Sequence, residues 1–385
     1  MEDKIQKILF YYSANKKSVA LESQMIIFKD FGFEVSILTS CDKGVLHENL
    51  ELKGIKTYHI PRNYLLKITI FNYIINFIYI LWFTKKHKIN FIFAHLHLPC
   101  FVSSYAQFFT KSKFLFFRHN CSWFNNEDIL LEDQNKNERK IDAVINKRAN
   151  KIIVPSKGVK DYMVEYENVN SEKIDILHYV YDFNLYKLGN KNKLDELNKK
   201  YENKFMLLMA SRMVKHKRHF IVLEVLKELV KEINNLHLIL LDEGPEIGVL
   251  KEYVKNNNLS EYVDFIGFTS DFLEYMTVAD VLIQPSMTDA SNSVAKEMGM
   301  LSKVIMVSEN VGDYSEYIKN EENGFLLPIH NTKYFLRKYI LDLFYNRYDK
   351  NNLGINLRKT IINNFTFGEN QKKEYQDFIR KHLQS

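Results

Sequence analysis

Residues 281–299 read VLIQPSMTDASNSVAKEMG. Val281-Leu282-Ile283 is the short apolar run of a buried parallel strand, and Ala290 to Ser293 are small and polar. A helix is expected from about Val294. Strand, polar loop and helix start, in that order, form a common anion-binding geometry. The first N–H groups of a helix have no partner inside it, and the helix dipole adds positive potential there. Asp289 and Glu297 place carboxylates eight residues apart across the loop. A carboxylate one turn inside the helix can reach past a bound anion to a sugar hydroxyl, an arrangement suited to a nucleotide diphosphate joined to a sugar.

The alternation seen in this stretch extends along almost the whole chain. Strands are expected at Ile8–Tyr12, Glu34–Leu38, Phe91–His95, Phe114–Phe117 and Lys151–Val154. A second series is expected at Phe205–Ala210, His237–Leu241, Val263–Ile266, Val281–Gln284 and Lys303–Val307. Helical spacing of apolar positions lies between them, for example at Phe220–Glu232 and Glu246–Asn256. This pattern predicts α/β architecture with parallel sheets. The 385 residues exceed one ordinary core, so two domains are expected. From Asp182 to Lys204 the chain turns polar and rich in lysine and asparagine, and is read as the link between them, partly helical. The substrate site is expected in the cleft between the domains, at the C-terminal ends of the strands.

A net charge of +6 favours anionic partners such as nucleotides, phosphates or acidic lipid surfaces; the sequence carries no nucleic-acid signature. Cys41, Cys100 and Cys121 are widely separated, which points to neither a disulfide framework nor a zinc site and fits a reducing cytoplasm. The N-terminus runs directly into the first strand without a signal-peptide pattern. No cluster of carboxylates and histidines has metal-ligand spacing.

Ile68 to Phe83, ITIFNYIINFIYILWF, is almost wholly apolar and is flanked by Lys67, Lys85, Lys86 and Lys88. Its 16 residues fall short of the ~20 needed to span a bilayer. It reads either as a helix buried between two strands of the first domain or as one touching the membrane interface, with Trp82 and the lysines at headgroup level. Thr69, Asn72, Asn76 and Tyr79 form a faint polar stripe at helical spacing, which fits a helix lying flat better than one passing through.

Directly after the strand at Phe205–Ala210 comes SRMVKHKR, with cations at Arg212, Lys215, Lys217 and Arg218. A solvated loop is the plain reading. Four cations between a strand and a helix are electrostatically wasteful, however, unless an anion sits among them. At ~4 Å and an effective dielectric near 20, each cation–phosphate contact is worth about 4 kcal/mol before desolvation. Such contacts can stabilise the charge developing on a departing diphosphate.

Taken together, the second half resembles a retaining glycosyltransferase of family 4 (glycosyl transferases group 1). Arg212 and Lys217 stand at the spacing of that family's G-R-x4-K-G element, with Ser211 and Arg218 in place of the glycines. Asp289 and Glu297 match its E-x7-E, with Asp for the first Glu. Asp242-Glu243-Gly244-Pro245 is similar to its G-x-G-P loop, and Val263 to Gly267 to its V-x-F-x-G strand. Asn310-Val311-Gly312-Asp313 and Asn323 to Pro328 resemble the two elements that follow. In the first half, Phe91 to His97 resembles a strand ending in H-x-H, and Phe117-Arg118-His119-Asn120 stands where the family often has a cleft histidine. Val154-Pro155-Ser156 and Ile176 to Asp182 resemble the approach to the interdomain crossover. The Gly-Gly loop expected after the first strand is replaced by Ser13-Ala14-Asn15-Lys16-Lys17-Ser18.

The resemblance implies the GT-B fold, two Rossmann-like domains facing each other across a cleft. These are residues 1–182 on the acceptor side and 183–365 on the nucleotide-sugar side, with a C-terminal helix, 366–385, packing back toward the first. It implies that Arg212 and Lys217 hold the diphosphate and that Glu297 binds the ribose hydroxyls. Backbone N–H groups at Asn292, Ser293 and Val294 would meet the distal phosphate. Asp289, Ser291 and Asn292 would face the sugar, and Gly244, Pro245 and Phe268 would complete the donor site. His119 would contact the sugar from the first domain, whereas His95 and His97 read first as core histidines. Asp is one methylene shorter than Glu, so its carboxylate sits about 1.3 Å further back, which makes Asp289 the place to look for a sugar preference.

The implied reaction moves a hexosyl or N-acetylhexosaminyl unit from a nucleotide-sugar, expected to be a UDP-sugar, to a hydroxyl of a glycan or lipid-linked acceptor. The implied setting is surface polysaccharide or lipopolysaccharide synthesis at the cytoplasmic membrane face, with no cofactor and no metal. A nucleotide-sugar epimerase on the same scaffold and a non-catalytic nucleotide-binding subunit are the competing readings.

Overall fold

The computed structural model describes residues 5–61, 69–119, 136–185 and 190–384. Asn120, Cys121, Lys67 and Ile68, all named above, lie outside the described residues. The chain forms two compact units, with a boundary between Asp182 and Phe183 and with Glu369–Ser385 joined to the first.

The first unit holds a parallel sheet of seven strands: β1 (Lys7–Tyr12), β2 (Glu34–Thr39), β3 (Lys56–His59), β4 (Phe91–His95), β5 (Lys113–Phe117), β6 (Lys151–Val154) and β7 (Ile174–Ile176). Their spatial order is β3-β2-β1-β4-β5-β6-β7. The central strands are near-continuous apolar runs because helices cover both faces. Phe10, Phe28, Phe93 and Phe117 pack there with ring centroids 5.2–6.2 Å apart. The helix Glu369–His382 completes this core: Tyr375 is fully buried and lies 5.6 Å from Phe28, ring to ring. Glu374 accepts the His178 N–H at 2.8 Å, and Lys381 donates to Asp175 at 2.6 Å.

The apolar segment forms the helix Thr69–His87. In its polar stripe Asn76 turns inward, with Asn72 and Tyr79 half-buried. Asn76 is buried, its amide donating to the Asn72 carbonyl at 2.8 Å and its carbonyl accepting the Tyr11 hydroxyl at 2.6 Å. A tyrosine on a central strand brings a hydroxyl that must find a partner, and the helix supplies it. Ile70, Ile74 and Ile78 consequently face out, whereas Ile80 is buried. Among the described residues no helix is long and apolar enough to cross a membrane.

The second unit holds a parallel sheet of six strands: β8 (Phe205–Ala210), β9 (Leu236–Leu241), β10 (Val263–Gly267), β11 (Val281–Gln284), β12 (Val304–Ser308) and β13 (Phe325–Leu327), in the order β10-β9-β8-β11-β12-β13. The order reverses between β8 and β11, so loops leaving their carboxyl ends diverge to opposite sides and open a crevice. The Gln284 amide donates to the Ala210 carbonyl at 2.9 Å and laces the two strand ends together. The linker reading is partly met by the helix Lys191–Lys200, capped by the Asn190 side chain.

Ten strands fall within one residue of their sequence-based bounds. β3, β7 and β13 were not anticipated as strands. All three are sheet edges of three or four residues.

Tyr375→Ala removes a ring from the centre of the first unit and is expected to cost about 3 kcal/mol. Unfolding of the whole chain followed by circular dichroism measures this. An unchanged transition would show that the C-terminal helix is not part of that core.

Candidate active site

The loop after β8 contains Met213, a fully buried residue whose N–H donates to the Glu243 carbonyl at 3.0 Å and whose carbonyl accepts the Glu246 N–H at 3.1 Å. A Cβ at Gly244 would lie 2.3 Å from the Met213 oxygen, so only glycine lets these two loops meet. Further along, the His216 carbonyl accepts the Met287 N–H at 2.8 Å, which ties in the loop after β11. Gly312, at φ +56, backs that loop: a Cβ there would sit 3.0 Å from the Ala290 oxygen. Loops 211–218, 242–246, 285–292 and 310–313 are thereby held as one assembly beside the switch point of the second sheet.

Asp289 lies at its centre. Its carboxylate takes the Lys217 ammonium at 2.9 Å, the Asn292 amide at 2.9 Å and the Ala290 N–H at 3.0 Å. Burial pushes this carboxyl up, but Lys217 and the hydrogen bonds outweigh it, and the net shift is downward. Asp289 therefore stays ionised. The Asn292 carbonyl oxygen accepts the Ala295 N–H at 2.9 Å, so the same side chain caps the helix Ser293–Met300. The N–H groups at the start of this helix are the donors an anion would meet. Glu297 lies in its second turn and is largely buried.

Behind the loop is a buried ion pair that sequence reasoning missed. Lys296 and Asp313, 0% and 1% exposed as side chains, meet at 2.7 Å. The Ser291 hydroxyl donates to Asp313 at 2.6 Å, and Lys296 also donates to the Ser291 oxygen and the Asn292 carbonyl, both at 3.1 Å. The ammonium lies 4.5 Å from the Phe365 ring centroid and 5.0 Å from that of Tyr317. Burial raises the Asp313 carboxyl despite these partners. The helix SVAKEMGM carries Lys296 beside Glu297, and nothing in that pattern marks the lysine as buried. What Ser291 presents at the loop is therefore its backbone, because its hydroxyl is held from behind.

The four cations after β8 do not act alike. Arg218, at φ 60, donates to the Thr332 hydroxyl at 3.0 Å and the Ile329 carbonyl at 3.2 Å. Lys217 is paired with Asp289. Arg212 and Lys215 are exposed and pair with no carboxylate among the described residues. Phe268, just past β10, is 78% exposed, and Pro245 is exposed on the loop after β9.

His119 belongs to the first unit, where Tyr12, Ser18, Gln24, His95, His119 and Tyr179 line a cavity of about 240 Å³. One ring nitrogen of His119 meets His95 at 2.7 Å and the other meets the Tyr179 hydroxyl. Burial pushes His119 down to about 4 and His95 well below its usual value, so both rings are neutral near pH 7. Because each neutral ring has one donor and one acceptor nitrogen, the tautomers in this chain are set together. Tyr179 carried no sequence signal of its own. His97 instead bonds Asp142 at 3.1 Å, and Asp142 also holds the buried Arg118 at 2.8 Å. Among the described residues no group of three or more His, Cys, Asp or Glu is arranged to hold a metal ion.

The family model described as Glycosyl transferases group 1 matches residues 190–360, and that described as Glycosyltransferase Family 4 matches residues 28–184. Among curated proteins, the chain is 26% identical over 156 residues, 40% of each chain, to N-acetyl-alpha-D-glucosaminyl L-malate synthase of Bacillus anthracis. It is 26% identical over 184 residues, 48% of each chain, to the N-acetylgalactosamine-N,N'-diacetylbacillosaminyl-diphospho-undecaprenol 4-alpha-N-acetylgalactosaminyltransferase of Campylobacter jejuni. These matches span less than half the length of either relative. Among solved structures, Anabaena HepE in complex with UDP-glucose superposes with a TM-score of 0.78 at 17% identity, covering 97% of this chain and 99% of that one. Staphylococcus aureus TarM in complex with fondaparinux, alpha-GlcNAc-glycerol and UDP gives 0.70 at 14%, covering 97% and 99%. Likeness at these identities establishes the fold, and with both halves matched by their family models the chain belongs to the family 4, group 1 glycosyltransferases of GT-B fold.

Proposed function

We propose that the protein transfers a hexosyl or N-acetylhexosaminyl unit from a UDP-sugar to a hydroxyl of a glycan or lipid-linked acceptor, with retention of anomeric configuration. The observation that carries this reading is the loop assembly of the second unit. It sets the exposed Arg212 and the Lys217–Asp289 pair beside a capped helix start, with Glu297 on that helix. This is a receptor for a diphosphate with hydroxyl-bearing groups on either side. Solved relatives that hold UDP or UDP-glucose support the choice of nucleotide.

In the proposed reaction the bond from the anomeric carbon to the diphosphate oxygen breaks, and a bond to the acceptor oxygen forms on the same face. The acceptor proton passes to the departing phosphate oxygen. No protein nucleophile is needed, so the protein's work is orientation and charge stabilisation. Arg212, Lys217 and the N–H groups at Ser293 and Val294 meet the diphosphate without a metal. Asp289, held by three hydrogen-bond donors, presents a fixed anionic edge to the sugar. In the first unit, His119 enters as a neutral group whose two nitrogens are already engaged. It therefore serves to shape the cavity together with Tyr179 rather than to move a proton. The relative acting on a diphospho-undecaprenol acceptor supports a lipid-linked acceptor and a place of work at the inner face of the cell membrane.

Arg212→Ala is expected to lower turnover by about 10²–10³ with the fold intact, the size typical of removing one stabilising donor; a variant of near-full activity would remove the clamp assignment. In a thermal-shift panel of UDP-, GDP-, ADP- and dTDP-sugars, a UDP-sugar should raise the melting temperature by mass action. Glu297→Ala should abolish most of that shift, whereas stabilisation by another base alone would overturn the nucleotide assignment. Turnover should also persist in excess EDTA. Release of a free epimerised sugar without acceptor would replace transfer by epimerisation.

A further inference from the structure

Between Leu52 and Asn126 the chain carries ten lysines and arginines and no aspartate or glutamate, against a net charge of only +6 for the whole protein. The helix Thr69–His87 lies inside this stretch. Its inward side is fixed by Asn76, Ile80, Phe83 and Thr84, all buried. On its outward side Ile70, Ile74, Ile78 and Trp82 recur every fourth residue and are 62%, 45%, 60% and 49% exposed. These four positions form one strip along the helix, about 18 Å long at 1.5 Å per residue. Phe108 and Phe109, 67% and 58% exposed on the turn Gln107–Phe109, extend it sideways, since Phe109 meets Phe77 at 5.9 Å between ring centroids.

The rim of this strip is basic. Lys85, Lys86 and Lys88 are exposed at the C-terminal end of the helix, and Lys111 and Lys113 just beyond the aromatic turn. Lys86 lies 4.4 Å over the Trp82 ring, and the Arg148 guanidinium lies 3.6 Å over Tyr105 and 5.9 Å from Phe108. An apolar strip with a tryptophan at its edge and cations around it has the composition of a helix lying in the plane of a membrane interface. A second copy of the chain is a poor occupant, because a two-fold contact sets the same patch against itself and brings cations onto cations.

We propose that this face seats on the surface of an anionic bilayer, with Ile70, Ile74, Ile78, Trp82, Phe108 and Phe109 entering the headgroup region and the lysines meeting lipid phosphates. The inference deepens the proposed transfer to a lipid-linked acceptor by assigning the surface that would bring the protein to it, but its geometry stands on the first unit alone.

The test uses the full chain in a Trp123→Phe background, so that emission reports Trp82, the other of its two tryptophans. Titration with phosphatidylcholine vesicles containing about a third phosphatidylglycerol should shift the emission to the blue and bind about tenfold or more tighter than phosphatidylcholine alone, with the difference collapsing at high salt. Ile74→Ser with Ile78→Ser should weaken binding about tenfold at unchanged melting temperature. Lys85→Gln with Lys86→Gln should weaken binding to the anionic vesicles only. Equal binding to both vesicle types, no binding, or a dimer in sedimentation that the isoleucine variants dissolve would overturn the proposal. Protein that binds anionic vesicles but is stabilised by no nucleotide-sugar would keep this inference and remove the transferase reading.

Discussion

The loops beside the switch point of the second sheet rest on the ion pair between Lys296 and Asp313. Two charges taken wholly out of water are costly, and their mutual attraction restores stability only when the remaining hydrogen-bonding capacity is also met. Here Lys296 donates to Asp313, Ser291 and the Asn292 carbonyl and is overlaid by aromatic rings. The pair fixes Ser291 and Asn292 from behind, so Asn292 can bridge Asp289 and the helix start in front. Replacing one partner leaves a buried charge alone and is strongly destabilising, whereas the intact pair adds little net stability over an apolar packing, so its contribution is to geometry.

The glycines at 244 and 312 act at a second level. Each sits where a side chain would collide with the backbone of a neighbouring loop. Loops from different strands are thus brought to backbone contact at the one edge where the strand order reverses. That reversal is a property of topology, and it gives these side chains a common focus although they are far apart in sequence.

Much of this was legible beforehand. Fold class, the central strands and the loops carrying Arg212, Lys217, Asp289 and Glu297 follow from apolar runs and motif spacing, because these depend on local order along the chain. Of the three edge strands missed, Lys56–His59 and Ile174–Ile176 are broken by polar residues and lack the apolar run that marked the equally short β6 and β11. The partners of Arg218 and Lys296 were illegible for another reason: a cation looks the same in sequence whether it awaits a ligand or already has an internal one. The inward turn of Asn76 depends on the Tyr11 hydroxyl 65 residues away, which no window on the helix contains.

The pairing of Lys217 with Asp289 bears on how the site lets go. A lysine that has a carboxylate waiting at 2.9 Å can exchange one anionic partner for another without passing through an unpaired state. Were an anion bound between them to leave, Asp289 would be at hand to take the ammonium back, and no bare charge would be left behind. The pair also cancels the charge of Lys217 in the resting loop and leaves Arg212 and Lys215 as its exposed cations.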